Sequence, residues 1–497
     1  MIHPTVVHIL AEAAGRAPAA EALVFGERRL TYAEYASCVA GFARELESLG
    51  ARGERVATLL GNSIEACVAA YAILAAGAQH VPLNPLYSPR ELDLMLRDAA
   101  PRILIADASL ESTVKSLGTK LEPILLVGSQ ARLLDTWRSD GLSLEEFPAG
   151  ESLALLQYTG GTTGRAKGVN LTHRAIATNV WQREALLPTR EGERILCMMP
   201  VSHSYGMAMG LFLAPNCRGT LVLLPRFIPD AVLESVERER ITIFPGSPTV
   251  FVGLLAHPRF AATHWKSVHT CYSGASALAE ETLRRWRDAV GAPVYEGYGQ
   301  TEAGPVLSFN PVRGPVKAGS VGVAVPQTEI QIVDVETGAR VLPAGERGEI
   351  RARGPQIMQG YRNLPQESAQ TLRGGWLYTG DIGELDADGY LFIRDRKKDM
   401  LIVGGYNVYP RELEEVLVMH PAVLEAAVVG VKDEYKGELP IAYVAVRAAT
   451  DEEQLLAHCR ANLARYKVPA RIHIVEALPK TSVAKIDKSE LRRWSTQ

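Results

Sequence analysis

The 497-residue chain is long enough for roughly two to four domains, and its 47% hydrophobic content suffices for a large core. A formal net charge of −3 gives no global attraction to nucleic acid or to an anionic membrane, so nucleic acid is not expected as a partner, whereas a local basic patch and a peripheral membrane contact stay open. The six cysteines are scattered without a CxxC pair, which argues against a zinc site and a disulfide framework. That cysteine usage fits a reducing cytoplasm, where we expect the protein to act.

No targeting or membrane segment is evident. The N-terminus lacks a basic region ahead of an apolar stretch, so no secretory signal is expected. The longest apolar run, residues 66–78, has about 13 residues, whereas a membrane-spanning helix needs about 20. We therefore interpret this run as a core helix and expect no transmembrane segment.

The N-terminal part of the chain alternates helix-like and strand-like segments. Thr31 and Glu34 form a capping box ahead of a periodic run that ends at Gly50, which predicts a helix. A second helix is expected over residues 64–76, and buried strands are expected over residues 55–60, 103–106, 153–156, 195–199, 220–224 and 242–244. This βαβα order is typical of doubly wound parallel sheets.

The segment after the expected strand 153–156 has the composition of a polyphosphate-binding loop. Residues 158–168 read YTGGTTGRAKG, and the nine positions 159–167 hold three glycines, three threonines and two cations. Glycine lets backbone N–H groups approach an anion, threonine hydroxyls add donors, and the cations balance phosphate charge. The spacing differs from the standard P-loop, because the lysine comes three residues after Gly164. The sequence therefore predicts nucleotide binding by a different loop.

After about Gly319 short strands and turns dominate, which predicts a small β-barrel or a meander. The charged stretch of residues 394–399, RDRKKD, is interpreted as a domain boundary, although a solvated linker would explain it equally. Another α/β pattern follows to the end of the chain. Within it we expect a helix opened by Pro410, strands over residues 426–431, 441–446 and 472–475, and a helix over residues 452–463.

Four further features say little when each is taken alone. The stretch EGYGQTE, residues 296–302, could stack a base and hold Mg²⁺, but such a segment is more often an ordinary turn. Asp381 in YTGD is by default a turn residue, and Lys485 is by default one of many surface lysines. His203 would by default be a half-buried histidine with its hydrogen bonds satisfied.

The order and spacing of five motifs resemble those of the adenylate-forming superfamily, which holds acyl-CoA synthetases, adenylation domains of peptide synthetases and luciferases. The resemblance covers nearly the whole chain, and in detail it is most like bacterial fatty acyl-CoA ligases. The motifs are YTGGTTGRAKGV from residue 158, YEGYGQTE from 295, WLYTGD from 376, IRDRKKDMLIVGGYNVYPRELE from 393 and PKTSVAKID from 479.

The resemblance implies an α/β fold with a large N-terminal domain of doubly wound sheets plus a small β-barrel, and a small, mobile α+β C-terminal domain. The expected divisions are residues 1–394 for the ATP- and acyl-binding domain, 395–398 for a hinge and 399–497 for the mobile domain. In such enzymes rotation of the C-terminal domain lets one site run two half-reactions, and Lys398 is the expected pivot.

The same resemblance assigns residues to ATP. Tyr298 would stack on adenine, Asp381 and Arg396 would contact the ribose, and Thr301 would contact the α-phosphate. Glu302 would hold Mg²⁺. The phosphate loop and the adenine pocket would add Thr159, Gly160, Gly161, Thr162, Thr163, Gly164, Lys167, Ser273, Gly274 and Ala275.

It also assigns residues to the acid and to coenzyme A. Lys485 would reach from the small domain to the α-phosphate and the acyl carboxylate, a task that suits a compact charge on a long flexible stem. His203 would lie between the acyl pocket and the path of the pantetheine arm. The CoA tunnel and the acyl pocket would add Gly404, Gly405, Tyr406, and Tyr205, Met207, Gly246, Ser247, Gly299 and Ala303.

Two positions depart from the family pattern. Ala166 stands where relatives usually have proline before the loop lysine, and Ala484 stands where they usually have glycine before the C-terminal lysine. These changes bear on the stiffness of the loop and on the reach of Lys485. Neither removes a functional group, so activity is still expected.

The expected activity is that of an ATP-dependent acyl-CoA ligase with ATP, Mg²⁺ and coenzyme A as cofactors. It would convert a medium- or long-chain fatty acid to acyl-AMP with release of pyrophosphate, and then to acyl-CoA and AMP. An aryl or short branched-chain acid stays open as the substrate, as does a carrier protein as the acceptor. An amino acid is not expected as the substrate. Amino-acid-activating members of the superfamily carry an Asp near position 203 that binds the substrate's ammonium group, and the segment SHSYG of this chain has none.

A binding protein without catalysis is not expected either, because it would have lost Lys485, Glu302 or Asp381. The partners implied are the acid, ATP and CoA, and the protein is expected to be a monomer or a homodimer.

Overall fold

The computed structural model of the protein describes residues 2–119, 121–128, 132–139, 143–159, 166–274, 278–403, 406–433, 436–481 and 485–495. Its strands, in chain order, are β1 (Glu21–Phe25), β2 (Arg28–Thr31), β3 (Arg55–Leu59), β4 (Gln79–Leu83), β5 (Ile103–Asp107), β6 (Ile124–Val127), β7 (Leu153–Thr159), β8 (Lys167–Thr172), β9 (Arg194–Cys197), β10 (Thr220–Leu223), β11 (Ile243–Gly246), β12 (Thr270–Ser273), β13 (Val294–Gly299), β14 (Val306–Phe309), β15 (Val323–Ala324), β16 (Glu329–Val333), β17 (Gly348–Arg353), β18 (Gly360–Tyr361), β19 (Leu372–Arg373), β20 (Trp376–Leu385), β21 (Leu391–Arg396), β22 (Leu401–Val403), β23 (Tyr406–Val408), β24 (Val423–Asp433), β25 (Gly437–Val446) and β26 (Arg471–Val475).

The helices, again in chain order, are α1 (Val6–Arg16), α2 (Tyr32–Ser48), α3 (Ile64–Ala75), α4 (Pro89–Ala99), α5 (Glu111–Ser116), α6 (Arg132–Ser139), α7 (His173–Leu186), α8 (Ser204–Gly206), α9 (Leu213–Asn216), α10 (Pro229–Arg238), α11 (Pro248–Leu255), α12 (Glu280–Val290), α13 (Pro365–Thr371), α14 (Pro410–Met419), α15 (Glu452–Asn462) and α16 (Lys488–Trp494).

Two large sheets form the N-terminal part of the fold. Among the described strands, the first sheet has the order β15–β14–β13–β12–β11–β9–β10–β1–β2, and its strands from β13 to β1 are parallel. The second sheet, within the same described part of the chain, has the order β18–β8–β7–β4–β3–β5–β6 and is parallel from β7 to β6. The predicted doubly wound sheets are confirmed.

Both large sheets are buried on both faces. Successive residues of a strand point to opposite sides of the sheet, so each strand contributes side chains to two different cores. In β10, Leu221 and Leu223 join the core between the two sheets, whereas Val222 packs into a separate core on the outer face. In β5, Ile103 belongs to the shared core and Leu104 to an outer cluster. The near-continuous apolar strands of the sequence follow from this double burial.

The shared core contains α2 and α3. Helix α2 begins at the predicted capping box, in which Thr31 Oγ1 accepts from the Glu34 N–H and the Glu34 carboxylate accepts from the Thr31 N–H. Helix α3 is buried on almost all sides, as expected for a helix that is apolar all round. This confirms the predicted core helix; none of the helices that the structure describes is long and apolar enough to cross a membrane.

A third sheet follows in the chain and is antiparallel throughout. Its described strands run in the order β16–β17–β20–β19, and β21 pairs with β20. This antiparallel pairing of strands that lie near one another in the chain is that of a meander. The sequence predicted either a small β-barrel or a meander. The pairing of β20 with β21 places Asp381 directly opposite Arg396.

The C-terminal part has its own sheet and core. Its described strands run β23–β22–β25–β24, with β26 parallel to β25, and helices α14 and α15 pack on them. The predicted helix opened by Pro410 is confirmed, and each predicted strand and helix of this part lies within four residues of its expected bounds.

The charged stretch of residues 394–399 is only partly solvated: Arg396 and Lys398 are exposed, whereas its two aspartates are packed. Asp395 lies in β21 and is only 6% exposed, and Asp399 is 8% exposed. Their charges are met by the C-terminal part: the Arg411 backbone N–H donates to Asp395 Oδ2 at 3.0 Å, and Arg492 Nη2 lies 2.5 Å from Asp399 Oδ1. The division of the chain at residues 395–398 stays a prediction.

Candidate active site

The candidate nucleotide site begins at the carboxyl ends of parallel strands. Thr159 is the last residue of β7, Ser273 of β12 and Gly299 of β13. Parallel α/β sheets bind ligands at this edge, because the loops that leave neighbouring strands meet there. Ser273 Oγ is buried without a hydrogen-bond partner among the described residues, and Ser247, just after β11, carries a second such hydroxyl. Both hydroxyls are available to a ligand.

The two ends of the predicted phosphate loop lie on two paired strands. Thr159 and Lys167 pair across β7 and β8, with Thr159 Oγ1 3.5 Å from the Lys167 carbonyl oxygen. Ala166, at the position of the family proline, packs against the apolar cluster under β7. Ala484 and eight predicted site residues lie outside the described residues, namely Gly160, Gly161, Thr162, Thr163, Gly164, Ala275, Gly404 and Gly405.

Three predicted nucleotide residues are brought together by β13, β20 and β21. The Tyr298 hydroxyl donates a 2.6 Å hydrogen bond to Asp381 Oδ2, and Arg396 Nε lies 3.9 Å from Asp381 Oδ1. Burial raises the pKa of Asp381, and the charge of Arg396 opposes that shift. Burial, followed by the negative charge of Asp381, raises the pKa of Tyr298, which therefore stays a donor. The cluster offers an aromatic face, a carboxylate and a guanidinium in one place.

Glu302 lies in the single 3₁₀ turn Thr301–Ala303 after β13. Its Oε1 accepts a 2.9 Å hydrogen bond from the Tyr361 hydroxyl, and Lys167 Nζ lies 5.0 Å from the centre of the Tyr361 ring. Burial raises the pKa of Glu302, and Lys167 opposes the shift weakly. A second carboxylate oxygen is left for a cation, next to the lysine predicted to face the phosphates.

Lys485 extends from the C-terminal part toward these groups. Burial lowers its pKa to about 8, the positive charge of Arg396 adds to the shift, and the negative charge of Asp381 opposes it. The backbone around it is held by a 2.7 Å hydrogen bond from the Thr481 N–H to the Lys485 carbonyl oxygen, and by one from the Lys485 N–H to Thr481 Oγ1 at 3.2 Å. The lysine thus shares one electrostatic environment with the nucleotide residues.

His203 precedes the short helix α8. Its Nδ1 accepts a hydrogen bond from the Tyr205 N–H at 3.2 Å, which leaves Nε2 to carry the proton of the neutral ring. Burial lowers the pKa of His203 to about 3, and the charge of Lys485 adds to that shift, so the ring is neutral near pH 7. Next to it, Ser204 Oγ lies 3.5 Å from Thr301 Oγ1. Thr301 therefore lies next to the segment that carries His203, and the charge of Lys485 acts on the His203 ring.

The residues predicted for the acyl pocket are split between two places. The Tyr205 hydroxyl lies 3.2 Å from the carbonyl oxygens of Gly246 and Tyr272, so this ring closes the space at the ends of β11 and β12. A Cβ on Gly274 would come within 2.5 Å of the Tyr205 ring. Among the predicted residues, Met207 lines the cavity found in the described part of the chain, whereas Tyr205, Gly246, Ser247, Gly299 and Ala303 do not.

The predicted pivot Lys398 and Tyr406, the predicted tunnel residue that lies within the described ranges, are at the surface. Lys398 is exposed between the buried residues Asp395 and Asp399. Tyr406 is 60% exposed, and its ring stacks on that of Tyr466 with 4.7 Å between the centroids.

Comparison with known proteins agrees with this geometry. The family model described as AMP-binding enzyme matches residues 10–362, and the model for the AMP-binding enzyme C-terminal domain matches residues 412–485. The chain is 36% identical to a long-chain-fatty-acid--CoA ligase of Bacillus subtilis (strain 168), over 99% of this chain and 95% of that protein. It is 37% identical to a feruloyl-CoA synthase of an Amycolatopsis species, over 96% of both chains.

The structure of the anthranilate CoA ligase AuaEII in complex with anthranoyl-AMP superposes with a TM-score of 0.92 at 30% identity, covering 99% of this chain and 98% of that one. The chain therefore belongs to the family of AMP-binding enzymes, which confirms the adenylate-forming superfamily and the AMP-forming ligase class predicted from the motifs.

Sequence reasoning missed four side chains that shape the site. Tyr361 orients Glu302, Ser204 touches Thr301, and Gln157 and Arg183 line the cavity. Gln157 directly precedes the YTGG loop motif and was open to recognition on that ground. The others come from separate elements, and no local pattern marks them.

Proposed function

We propose that the protein activates a carboxylic acid with ATP as an acyl-adenylate and then transfers the acyl group to the thiol of coenzyme A. The observation that carries this proposal is the position of Lys485, whose charge is coupled to Asp381, Arg396 and His203. A lysine that follows the last strand of the C-terminal part and acts electrostatically on the nucleotide cluster supplies a positive charge where the acid and the α-phosphate meet.

In the first half-reaction a carboxylate oxygen of the acid bonds to the α-phosphorus of ATP and pyrophosphate leaves. Negative charge builds on the oxygens in transit, so fixed positive charge and hydrogen-bond donors lower the barrier. Lys485 and Thr301 serve the α-phosphate, and Lys167 with the loop that precedes it serves the departing pyrophosphate. Tyr298 and Asp381 bind adenine and ribose.

The residues fit a magnesium ion held by the protein through a single carboxylate. Glu302 has one oxygen engaged by Tyr361 and one left over, and Mg²⁺ commonly binds one or two carboxylates plus substrate phosphates. No group of three or more potential ligands occurs in the described ranges, so a cage made of protein side chains alone is not part of the proposal. When bound, the ion would neutralise phosphate charge.

In the second half-reaction the thiol gives up its proton to solvent and its sulfur bonds to the acyl carbon. The bond from that carbon to the phosphate oxygen breaks, and AMP leaves with the bonding electrons. His203 is neutral and carries its proton on Nε2, so it can donate a hydrogen bond between the acyl group and the incoming thiol. We propose that the C-terminal part rotates about Lys398 between the steps and brings Tyr406 to the thiol path.

The acid is proposed to be a medium- or long-chain fatty acid, because the Bacillus subtilis relative named for long-chain fatty acids matches nearly the whole chain. An aryl acid is the second candidate, because the feruloyl-CoA synthase relative is 37% identical over 96% of both chains.

The test is a pyrophosphate-release screen of saturated, branched and aryl acids with ATP, with and without coenzyme A. Acid-dependent pyrophosphate release and CoA-dependent AMP formation are expected. Acyl transfer only to a carrier protein would overturn coenzyme A as the acceptor. Absence of release with every acid would overturn the proposal as a whole.

A further inference from the structure

A buried arginine lines the cavity next to the candidate active site. The cavity wall is mainly apolar, with Leu155, Ile176 and Met209 among its residues, yet it also includes Arg183 and Gln157. Arg183 lies on α7 and is only 2% exposed. A charged side chain buried in an apolar wall is costly unless its donors are satisfied, so its partners decide what the wall can bind.

One nitrogen of the guanidinium, Nη1, is paired with protein groups. Nη1 pairs with the carboxylate of Glu184 and donates a 2.9 Å hydrogen bond to Thr189 Oγ1. The face of the group lies over the ring of Tyr272, with 4.6 Å from Cζ to the ring centroid. These contacts fix the group's orientation and balance its charge.

The other edge of the guanidinium makes no hydrogen bond of good geometry. Nε and Nη2 of Arg183 are buried and unpaired by that criterion within the described residues, although the guanidinium interacts with the Tyr272 side chain and opposes the rise in the pKa of that tyrosine. These two nitrogens present parallel N–H groups, the arrangement with which arginine binds oxygen acceptors. The side-chain amide of Gln157 is also only partly hydrogen-bonded. Its Nε2 donates to the Ser202 carbonyl oxygen at 3.0 Å, whereas its Oε1 has no hydrogen-bond partner among the described residues.

The cavity is continuous with the reacting centre. Ser204 lines it, and Ser204 Oγ lies 3.5 Å from Thr301 Oγ1, the group proposed to contact the α-phosphate. Gly304 and Pro305, directly after the turn that carries Glu302, also line it. An acid whose carboxylate lies at Thr301 would therefore extend its other end along the apolar wall toward Arg183.

We propose that Arg183 is a specificity residue that selects acids with an oxygen acceptor at the end remote from the carboxylate. This proposal rests on the proposed function and narrows its substrate class. A purely hydrocarbon tail would seal Nε and Nη2 from water without giving them an acceptor, whereas a hydroxyl, ether or carbonyl oxygen would accept from them. Because Glu184 already balances the charge of Arg183, a neutral oxygen is favoured over a second carboxylate.

The first test compares acids of equal shape that differ only at the remote end. The pairs are 4-hydroxycinnamic against 4-methylcinnamic acid, and 7-oxooctanoic against octanoic acid, with octanedioic acid as the charged case. For one of the two neutral pairs at least, kcat/KM for pyrophosphate release is expected to be about 10- to 100-fold higher with the oxygenated member. Preference for the hydrocarbon member in both pairs, or for octanedioic acid over all, would overturn the proposal.

The second test changes the side chain. Arg183→Met should reduce the ratio within the preferred pair to about 1, because a methionine has no donor to distinguish the two members, and a general loss of activity cancels in this ratio. Arg183→Lys should retain part of the preference. Arg174→Met is the matched control: this arginine lies on the same helix, is exposed and pairs with Glu151, so the ratio should not change.

An unchanged ratio in Arg183→Met would overturn the proposal. Should that variant fail to fold, the ratio in the unmodified protein and in Arg183→Lys decides instead. Pyrophosphate release with no acid at all would instead count against the proposed function, so the two failures are distinguishable.

Discussion

The hydroxyl of Tyr298 donates a 2.6 Å hydrogen bond to Asp381, which joins the end of a parallel sheet to the antiparallel sheet that follows it. Asp381 in turn lies 3.9 Å from Arg396, the last residue of β21, which lies within the proposed hinge of residues 395–398. The nucleotide cluster is thus coupled to the segment about which the C-terminal part is proposed to rotate.

The first prediction concerns this hydrogen bond. Tyr298→Phe keeps the ring but loses the donor to Asp381, and a hydrogen bond to a charged group contributes about 1.5–3 kcal/mol. The KM for ATP is therefore expected to rise about tenfold with a small change in kcat. Tyr298→Ala, which also loses the ring face, should raise the KM for ATP further. Both variants are measured by steady-state kinetics. Equal KM values for the Phe variant and the unmodified protein would show that the bond does not position Asp381 for ATP.

The second prediction concerns pH. The pKa of Lys485 is lowered to about 8, so its positive charge is present below that pH and lost as the pH rises through it. The kcat/KM for acid-dependent pyrophosphate exchange, which reports groups of the free enzyme, should therefore fall above about pH 8. Lys485→Arg stays charged in this range, so its profile should lack that fall. A flat profile of the unmodified protein between pH 7 and 10 would contradict the assignment.

The third prediction concerns the cation. Glu302→Gln keeps the shape and the acceptor for Tyr361 but removes the charge, so adenylation should fall about 10²-fold and half-saturation should need more Mg²⁺. Tyr361→Phe is the control, since it retains the carboxylate and should have the smaller effect. If a titration with Mg²⁺ gave the same midpoint for Glu302→Gln as for the unmodified protein, Glu302 would not be the ligand.

The fourth prediction concerns the hinge. Lys398 is exposed between two buried aspartates that contact the C-terminal part, so a substitution there alters backbone freedom without removing a core contact. Lys398→Pro fixes φ and should slow acyl transfer to CoA more than pyrophosphate release. Lys398→Ala is the control and should leave both steps near their normal rates. Pre-steady-state traces in which the proline slowed both steps equally would place the pivot elsewhere.

Much of the fold was predictable because local pattern and tertiary role coincide. The all-apolar run of α3 and the apolar start of β7 are buried on every side, so their composition alone marks them as core. The capping box at Thr31 is a local hydrogen-bond pattern and appears where it was expected. The ordered motifs likewise predicted the cluster of Tyr298, Asp381 and Arg396.

The remainder depends on packing between distant segments. From the sequence, Asp395 and Asp399 are expected to be solvated. In the structure the Arg411 backbone N–H and the Arg492 side chain, both from the C-terminal part, donate hydrogen bonds to them. Arg183 reads as a surface residue of an ordinary helix, because a buried arginine is rare. Only the contact of α7 with Tyr272 and the cavity wall gives it a role.

The most direct test of the account separates the two half-reactions in Lys485→Ala. If Lys485 stabilises charge at the α-phosphate, acid-dependent pyrophosphate exchange should fall about 10²–10³-fold, equivalent to about 3–4 kcal/mol. Formation of acyl-CoA from supplied acyl-AMP should be largely retained, because the second step uses another face of the C-terminal part. Lys480→Ala, a neighbouring lysine paired with Glu425, serves as the control and should keep both activities. Equal loss of both half-reactions in Lys485→Ala, or normal pyrophosphate exchange, would contradict the central claim.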